Sequence, residues 1–166
     1  AVASVQQRNP DAAGNGSLMR CWPVAIACWN DMDRLLHESR LQSQVTHPHP
    51  ECLASCAFVN AVIYYLVRRV LPTEAIARAG KQVEMPPPLR ILVKQAPTRQ
   101  REELVNSGWV RHTLESALWG LRTTDSFSEA VIQVANLGND ADTAGAVNRL
   151  PSISAPKQYK TRLSVG

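Results

Sequence analysis

Glu51-Cys52-Leu53-Ala54-Ser55-Cys56-Ala57-Phe58-Val59-Asn60-Ala61-Val62-Ile63-Tyr64-Tyr65-Leu66-Val67-Arg68-Arg69-Val70-Leu71 is apolar on nearly every helical face. A helix with no polar side has to be surrounded by other elements, so this one reads as the centre of a bundle. Before it, Thr46-His47-Pro48-His49-Pro50 is a break, because each proline forces the preceding residue into extended backbone. At its other end Arg68 and Arg69 place cations where a helix C-terminus favours them. Ser55 and Asn60 interrupt the apolar run from Cys52 to Val67, which falls short of the roughly 20 residues a membrane span needs. A buried core helix with no membrane contact is the expectation.

Working outward, the pattern stays helical, with no convincing alternating strand. Leu18 to Trp29 is apolar with Pro23 inside it, which predicts a helix that begins or kinks there. Asp31 to Gln44 is amphipathic, with Met32, Leu35, Leu36 and Leu41 inward. Residues 72–107 read as an excursion from the bundle: a short helix from Thr73 to Gln82, the run Met85-Pro86-Pro87-Pro88, then a charged stretch compatible with another short helix. From Trp109 to Leu121 one face carries Val110, Leu114, Ala117, Leu118 and Leu121. Ser126 and Glu129 form a capping-box pattern opening a helix to Leu137, stopped by Gly138. The fold class is all-α.

With 166 residues, 45% hydrophobic and 19% charged, the chain is long enough for one domain with its own core and too apolar for wholesale disorder. Its net charge of +4 is scattered, whereas nucleic-acid binders gather theirs on one face, so no nucleic acid is expected. Cys21, Cys28, Cys52 and Cys56 contain no C-x-x-C pair and read as small core residues; a cytoplasmic location follows as the default expectation. His37 and His112 read as helix-surface residues, and Trp109 and Trp119 as core.

Asn136-Leu137-Gly138-Asn139-Asp140-Ala141-Asp142-Thr143-Ala144-Gly145-Ala146 places two carboxylates and a hydroxyl within four residues. Hard oxygen donors on one turn suit Mg²⁺ or Mn²⁺. The same pattern also reads as a helix N-cap with an acid in its first turn. Carboxylates at i and i+2 diverge on a regular helix but converge when the first sits in the preceding turn. Gly138 allows a tight reversal there, and Asn139 tolerates positive φ better than most residues.

Four motifs occur in order: Asn15-Gly16-Ser17-Leu18-Met19-Arg20 with Pro23; Thr46-His47; Gly108-Trp109-Val110 running into Thr113-Leu114-Glu115-Ser116-Ala117-Leu118-Trp119; and the Asp140 turn. Together they resemble the ADP-ribosylglycohydrolase family. The resemblance implies part of an orthogonal multi-helix bundle, incomplete at its N-terminus, over residues 1–150, followed by a divergent, poorly ordered tail over 151–166. It implies a hydrolase that removes ADP-ribose from a modified protein side chain such as arginine, or from a related conjugate, with two Mg²⁺ or Mn²⁺ ions acting as Lewis acids. By motif, Asp140, Asp142 and Thr143 are metal ligands. Gly14, Asn15, Gly16 and His47 contact ADP-ribose. The family's catalytic acid/base and a Thr-Asp-Asp metal motif are expected upstream of Ala1, and residues 1–20 offer only Asp11. The chain alone is therefore expected to hydrolyse little. The alternative is an inactive member that serves as a structural or ADP-ribose-binding protein.

Overall fold

The protein is described from a computed structural model covering residues 12–124 and 126–147. Among them are eight α-helices: α1 Pro23–Ala27, α2 Met32–Gln44, α3 Pro50–Val67, α4 Pro72–Gln82, α5 Pro87–Gln95, α6 Val110–Thr123, α7 Phe127–Ala135 and α8 Ala141–Val147. Two 3₁₀ turns, Ala96–Thr98 and Arg101–Glu103, lie between α5 and α6. The described residues contain no strand, only an isolated antiparallel bridge between Gly14 and Trp109.

The central helix is α3. Pro50 occupies its first turn, and His49 caps it, Nδ1 accepting from the Glu51 N–H at 3.2 Å. It packs on α1, α2, α4 and α6. Phe58, Val59, Val62, Ile63 and Leu66 are fully buried with Leu35 of α2, Ala75 and Ala79 of α4 and Leu114 and Leu118 of α6. Burial at about 25 cal/mol per Å² of apolar surface makes this cluster the main source of stability. In length and mean hydropathy (1.4) α3 would suffice to cross a bilayer, but 72% of it is buried inside the bundle. Asn60, which breaks its apolar run, ties the core together: Nδ2 donates to the Cys21 carbonyl at 3.0 Å and to Ser39 Oγ at 2.8 Å.

The helix expected to begin or kink at Pro23 begins there, as the five-residue α1; turns occupy residues 16–20 and 28–30, and Trp22, Ile26 and Trp29 stay exposed. Two local expectations are corrected. Leu41 faces outward at 46% exposure. Residues 72–107 are no excursion: Ile76, Ala79, Leu89, Leu92 and Val93 sit in the main core. The proline run does not break the chain away, because Pro87 and Pro88 start α5 where proline's missing N–H costs nothing.

A second, smaller cluster of Trp119, Val134 and Ala144, flanked by Leu104 and Leu137, joins α6, α7 and α8. Ser126 caps α7 as expected, Oγ accepting from the Glu129 N–H at 3.2 Å. Through Leu137 this cluster packs the start of the 136–140 turn beside Trp119 of α6. The tail over 151–166 lies outside the described residues.

Candidate functional site

Three loops meet at the N-terminal end of α6. Gly14 pairs with Trp109 in the antiparallel bridge. Its neighbours lock the register: the Asn15 N–H donates to the Gly108 carbonyl at 3.0 Å and the Val110 N–H to the Ala13 carbonyl at 2.8 Å. Asn15 is thereby buried with its amide aimed at the third loop. Its Nδ2 donates to Thr113 Oγ1 at 2.7 Å and to Asp140 Oδ2 at 2.5 Å, spanning 98 and 125 residues of sequence.

The Asp140 turn is built by two successive left-handed residues, Gly138 at φ 73° and Asn139 at φ 53°. The second needs no glycine, since asparagine occupies that region at low cost. Asn106 Nδ2 holds the Gly138 carbonyl at 2.5 Å. Asp140 then precedes α8, its carbonyl accepting from the Ala144 N–H at 3.2 Å while Oδ1 accepts from Thr143 Oγ1 at 2.8 Å. The Asn15 amide chiefly, with Thr143 and Asp142 beside it, holds the Asp140 carboxyl below the usual range against a smaller effect of burial. Asp142 is exposed in the first turn of α8. Asp140 and Thr143 join their oxygens at a helix start with Asp142 in the same turn, and among the described residues no basic side chain bonds to Asp140.

In kind and position this donor set suits a hard divalent cation. In number it is incomplete: Mg²⁺ takes about six oxygens, and no group of three or more His, Cys, Asp or Glu side chains among the described residues forms a metal cluster.

His47 packs on the other side of the Gly14–Gly16 turn. A Cβ on Gly16 would stand 3.0 Å from His47 Cε1 and 3.1 Å from Nε2; one on Gly14 would stand 3.4 Å from Nε2. Glycine at 16 is thus what lets the imidazole lie against the backbone. Asn15 thus links the glycine turn to Asp140, Asp140 bonds Thr143, and His47 lies against Gly14 and Gly16.

The sequence model of the family described as ADP-ribosylglycohydrolase matches residues 1–148. The chain belongs to the ADP-ribosylglycohydrolase family. It is 36% identical over 140 residues to the ADP-ribosylarginine hydrolase Tri1 of Serratia proteamaculans (strain 568), covering 82% of this chain and 37% of that protein. Against the enzyme of that name from Pseudomonas putida (strain GB-1) identity is 33%, with 83% and 37% covered. The ADP-ribosyl-[dinitrogen reductase] glycohydrolase of Rhodospirillum rubrum is 28% identical, with 81% and 43% covered. A solved ADP-ribosylglycohydrolase-related protein complex superposes with a TM-score of 0.77 at 28% identity, covering 92% of this chain and 56% of that one. The chain spans well under half the length of the curated relatives it matches.

Sequence reasoning missed part of the site. Thr113 carried a signal: it is a polar residue one turn after Val110 and one turn before Ala117, on the buried side of α6, where a hydroxyl needs a partner. Asn106 and Arg20 carried none, since only tertiary folding brings them to Gly138 and Thr46. Trp109 was expected in the core. The structure leaves it 42% exposed at the edge of the site, because its backbone is engaged in the bridge to Gly14 and its ring with the Arg111 guanidinium, 4.8 Å from the centroid. Trp119 is core as expected. His112 is half-buried, its Nδ1 2.7 Å from Ser107 Oγ, while His37 is exposed.

Proposed function

We propose that the glycine turn, His47 and the Asp140 turn form the ADP-ribose-holding portion of an ADP-ribosyl hydrolase site, acting on ADP-ribosylated protein side chains such as arginine. The observation that carries it is the Asn15 amide joining the glycine turn, Thr113 and Asp140 in one hydrogen-bonded unit with His47 alongside. Glycine backbone beside a polar amide suits a diphosphate and a ribose hydroxyl, the two polar ends that one extended nucleotide sugar presents.

Asp140, Asp142 and Thr143 would hold Mg²⁺ or Mn²⁺, which supplies Lewis-acid polarisation and orientation at the ribose when bound. The chain's own residues do the rest of the positioning. Asn15 fixes one Asp140 oxygen and Thr143 the other, so the carboxylate cannot rotate away from the surface. Four buried free thiols accord with a reducing, cytoplasmic setting.

A second reading, ADP-ribose binding without turnover, is favoured by one observation: two carboxylates at the turn do not complete a metal site among the described residues. Incubation of the protein with an ADP-ribosylated arginine substrate and Mg²⁺ or Mn²⁺, with release of ADP-ribose measured beside direct ADP-ribose binding, separates the readings. Release abolished by EDTA and by Asp142→Ala supports the hydrolase. Saturable binding without release supports the second reading. Neither release nor binding refutes both.

A further inference from the structure

After the glycine turn the chain carries Arg20 back across His47's own loop, and Arg20 Nη2 donates to Thr46 Oγ1. A guanidinium offers donors and no acceptor, so the Thr46 oxygen is the acceptor of that bond. The same oxygen lies 2.8 Å from His47 Nδ1. We propose that Arg20 and Thr46 are positioning residues that hold His47 in the tautomer with its hydrogen on Nε2, so that this N–H donates to an acceptor oxygen of ADP-ribose seated on the Gly14–Gly16 turn. The ligand in this statement rests on the reading given above; the tautomer does not.

A hydroxyl that accepts from a cation is polarised into a better donor and a poorer acceptor. Its single proton therefore goes to the lone pair within reach, on Nδ1. A neutral imidazole carries one hydrogen, which is left to Nε2. Burial first, and the Arg20 charge second, lower the His47 pKa and keep the ring neutral.

The main chain that carries the ring is also fixed. The His47 N–H donates to the Ser43 carbonyl at 2.7 Å, and its own carbonyl accepts from Ser43 Oγ at 3.1 Å. Nε2 is the ring atom turned to the glycines, and among the described residues it has no hydrogen-bond partner. A phosphate or ribose oxygen at that point meets a donor. A ligand group with only hydrogens to offer meets another hydrogen and is rejected.

The test uses the full chain and two independent readouts. Imidazole ¹⁵N–¹H correlation spectra report the tautomer without any ligand, and titration calorimetry with ADP-ribose reports affinity. Wild type should show His47 neutral with hydrogen on Nε2. Thr46→Val, nearly the same shape at an exposed position, should lose that single pattern and weaken ADP-ribose binding by about tenfold, the usual scale for one misdirected hydrogen bond to a charged group. Thr46→Ser should restore both, and Arg20→Met should fall between. A wild-type ring with hydrogen on Nδ1, or a Thr46→Val protein with unchanged spectrum, overturns the proposal. The expected tautomer, lost in Thr46→Val, together with no ADP-ribose binding, sustains the relay and removes the ADP-ribose reading instead.

Discussion

Replacing Asn15 with alanine removes the one side chain that ties the glycine turn to both α6 and the Asp140 turn. Two bonds are lost: a neutral one to Thr113 and a charge-assisted one to Asp140. Typical net values are roughly 0.5–1.5 kcal/mol for the first and 1.5–3 for the second. Thr113 keeps a partner in the Ser107 carbonyl at 3.4 Å and Asp140 keeps Thr143 at 2.8 Å, and Asp140 is open enough to recruit water. The lower half of the sum, about 2–3 kcal/mol, is therefore expected at pH 7. At about 2–4 °C per kcal/mol for a domain of this size, Tm falls by roughly 4–12 °C. The pH dependence carries the sharper sign. Asp140 has a folded-state pKa below its unfolded one, so its contribution is present above the ordinary Asp range and lost as pH falls through the depressed value. Asn15 is the largest cause of that depression, so the gap between wild type and Asn15→Ala should shrink on acidification towards the Thr113 share alone. Urea melts of both proteins at neutral and acid pH measure it. A loss under 0.5 kcal/mol at pH 7, or a gap that does not change with pH, refutes the reasoning.

Gly16→Ala should force His47 off the turn, because its Cβ falls 3.0 Å from the ring, whereas Gly14→Ala at 3.4 Å should be milder; paired thermal melts and ADP-ribose titrations compare them. Gly138→Ala should cost about 1 kcal/mol because φ is 73°, and Asn139→Gly should be nearly neutral, both read by denaturant melts. Buried Glu51 takes a bidentate pair from Arg111, so Glu51→Ala should destabilise by roughly 3–4 kcal/mol, and a loss below 1 kcal/mol would show the pair to be solvated.

Most of the fold was legible because its signals are local. The all-round apolar character of α3, the Ser126 cap and the glycine stop at 138 each act over a few residues, and each element appears where the pattern puts it. Pro23 begins α1 as its position implied, but the exposure of Trp29 had no local signal: Trp29 and Tyr64 flank Arg68, whose guanidinium lies 3.4 Å from the Tyr64 centroid and 5.9 Å from that of Trp29. The proline run misled because prolines both end and begin helices, and only the burial of Leu89, Leu92 and Val93 decides which. At the site, the residue types were legible from motif spacing, while the bonds that join them were not. Asn15 and Asp140 are 125 residues apart, and nothing in either neighbourhood specifies the other.

The central claim is that one ADP-ribose molecule spans the glycine turn, His47 and the Asp140 turn. Titrating ADP-ribose with Mg²⁺ into ¹⁵N-labelled protein and following backbone amide shifts tests it most directly. The account predicts saturable shifts at Gly14, Asn15, Gly16, His47, Gly108, Trp109 and Asp140 to Thr143, with a common dissociation constant, and none along α4. Shifts confined to α4 or to the Trp22–Trp29 surface, or no shifts at millimolar ADP-ribose, would contradict it.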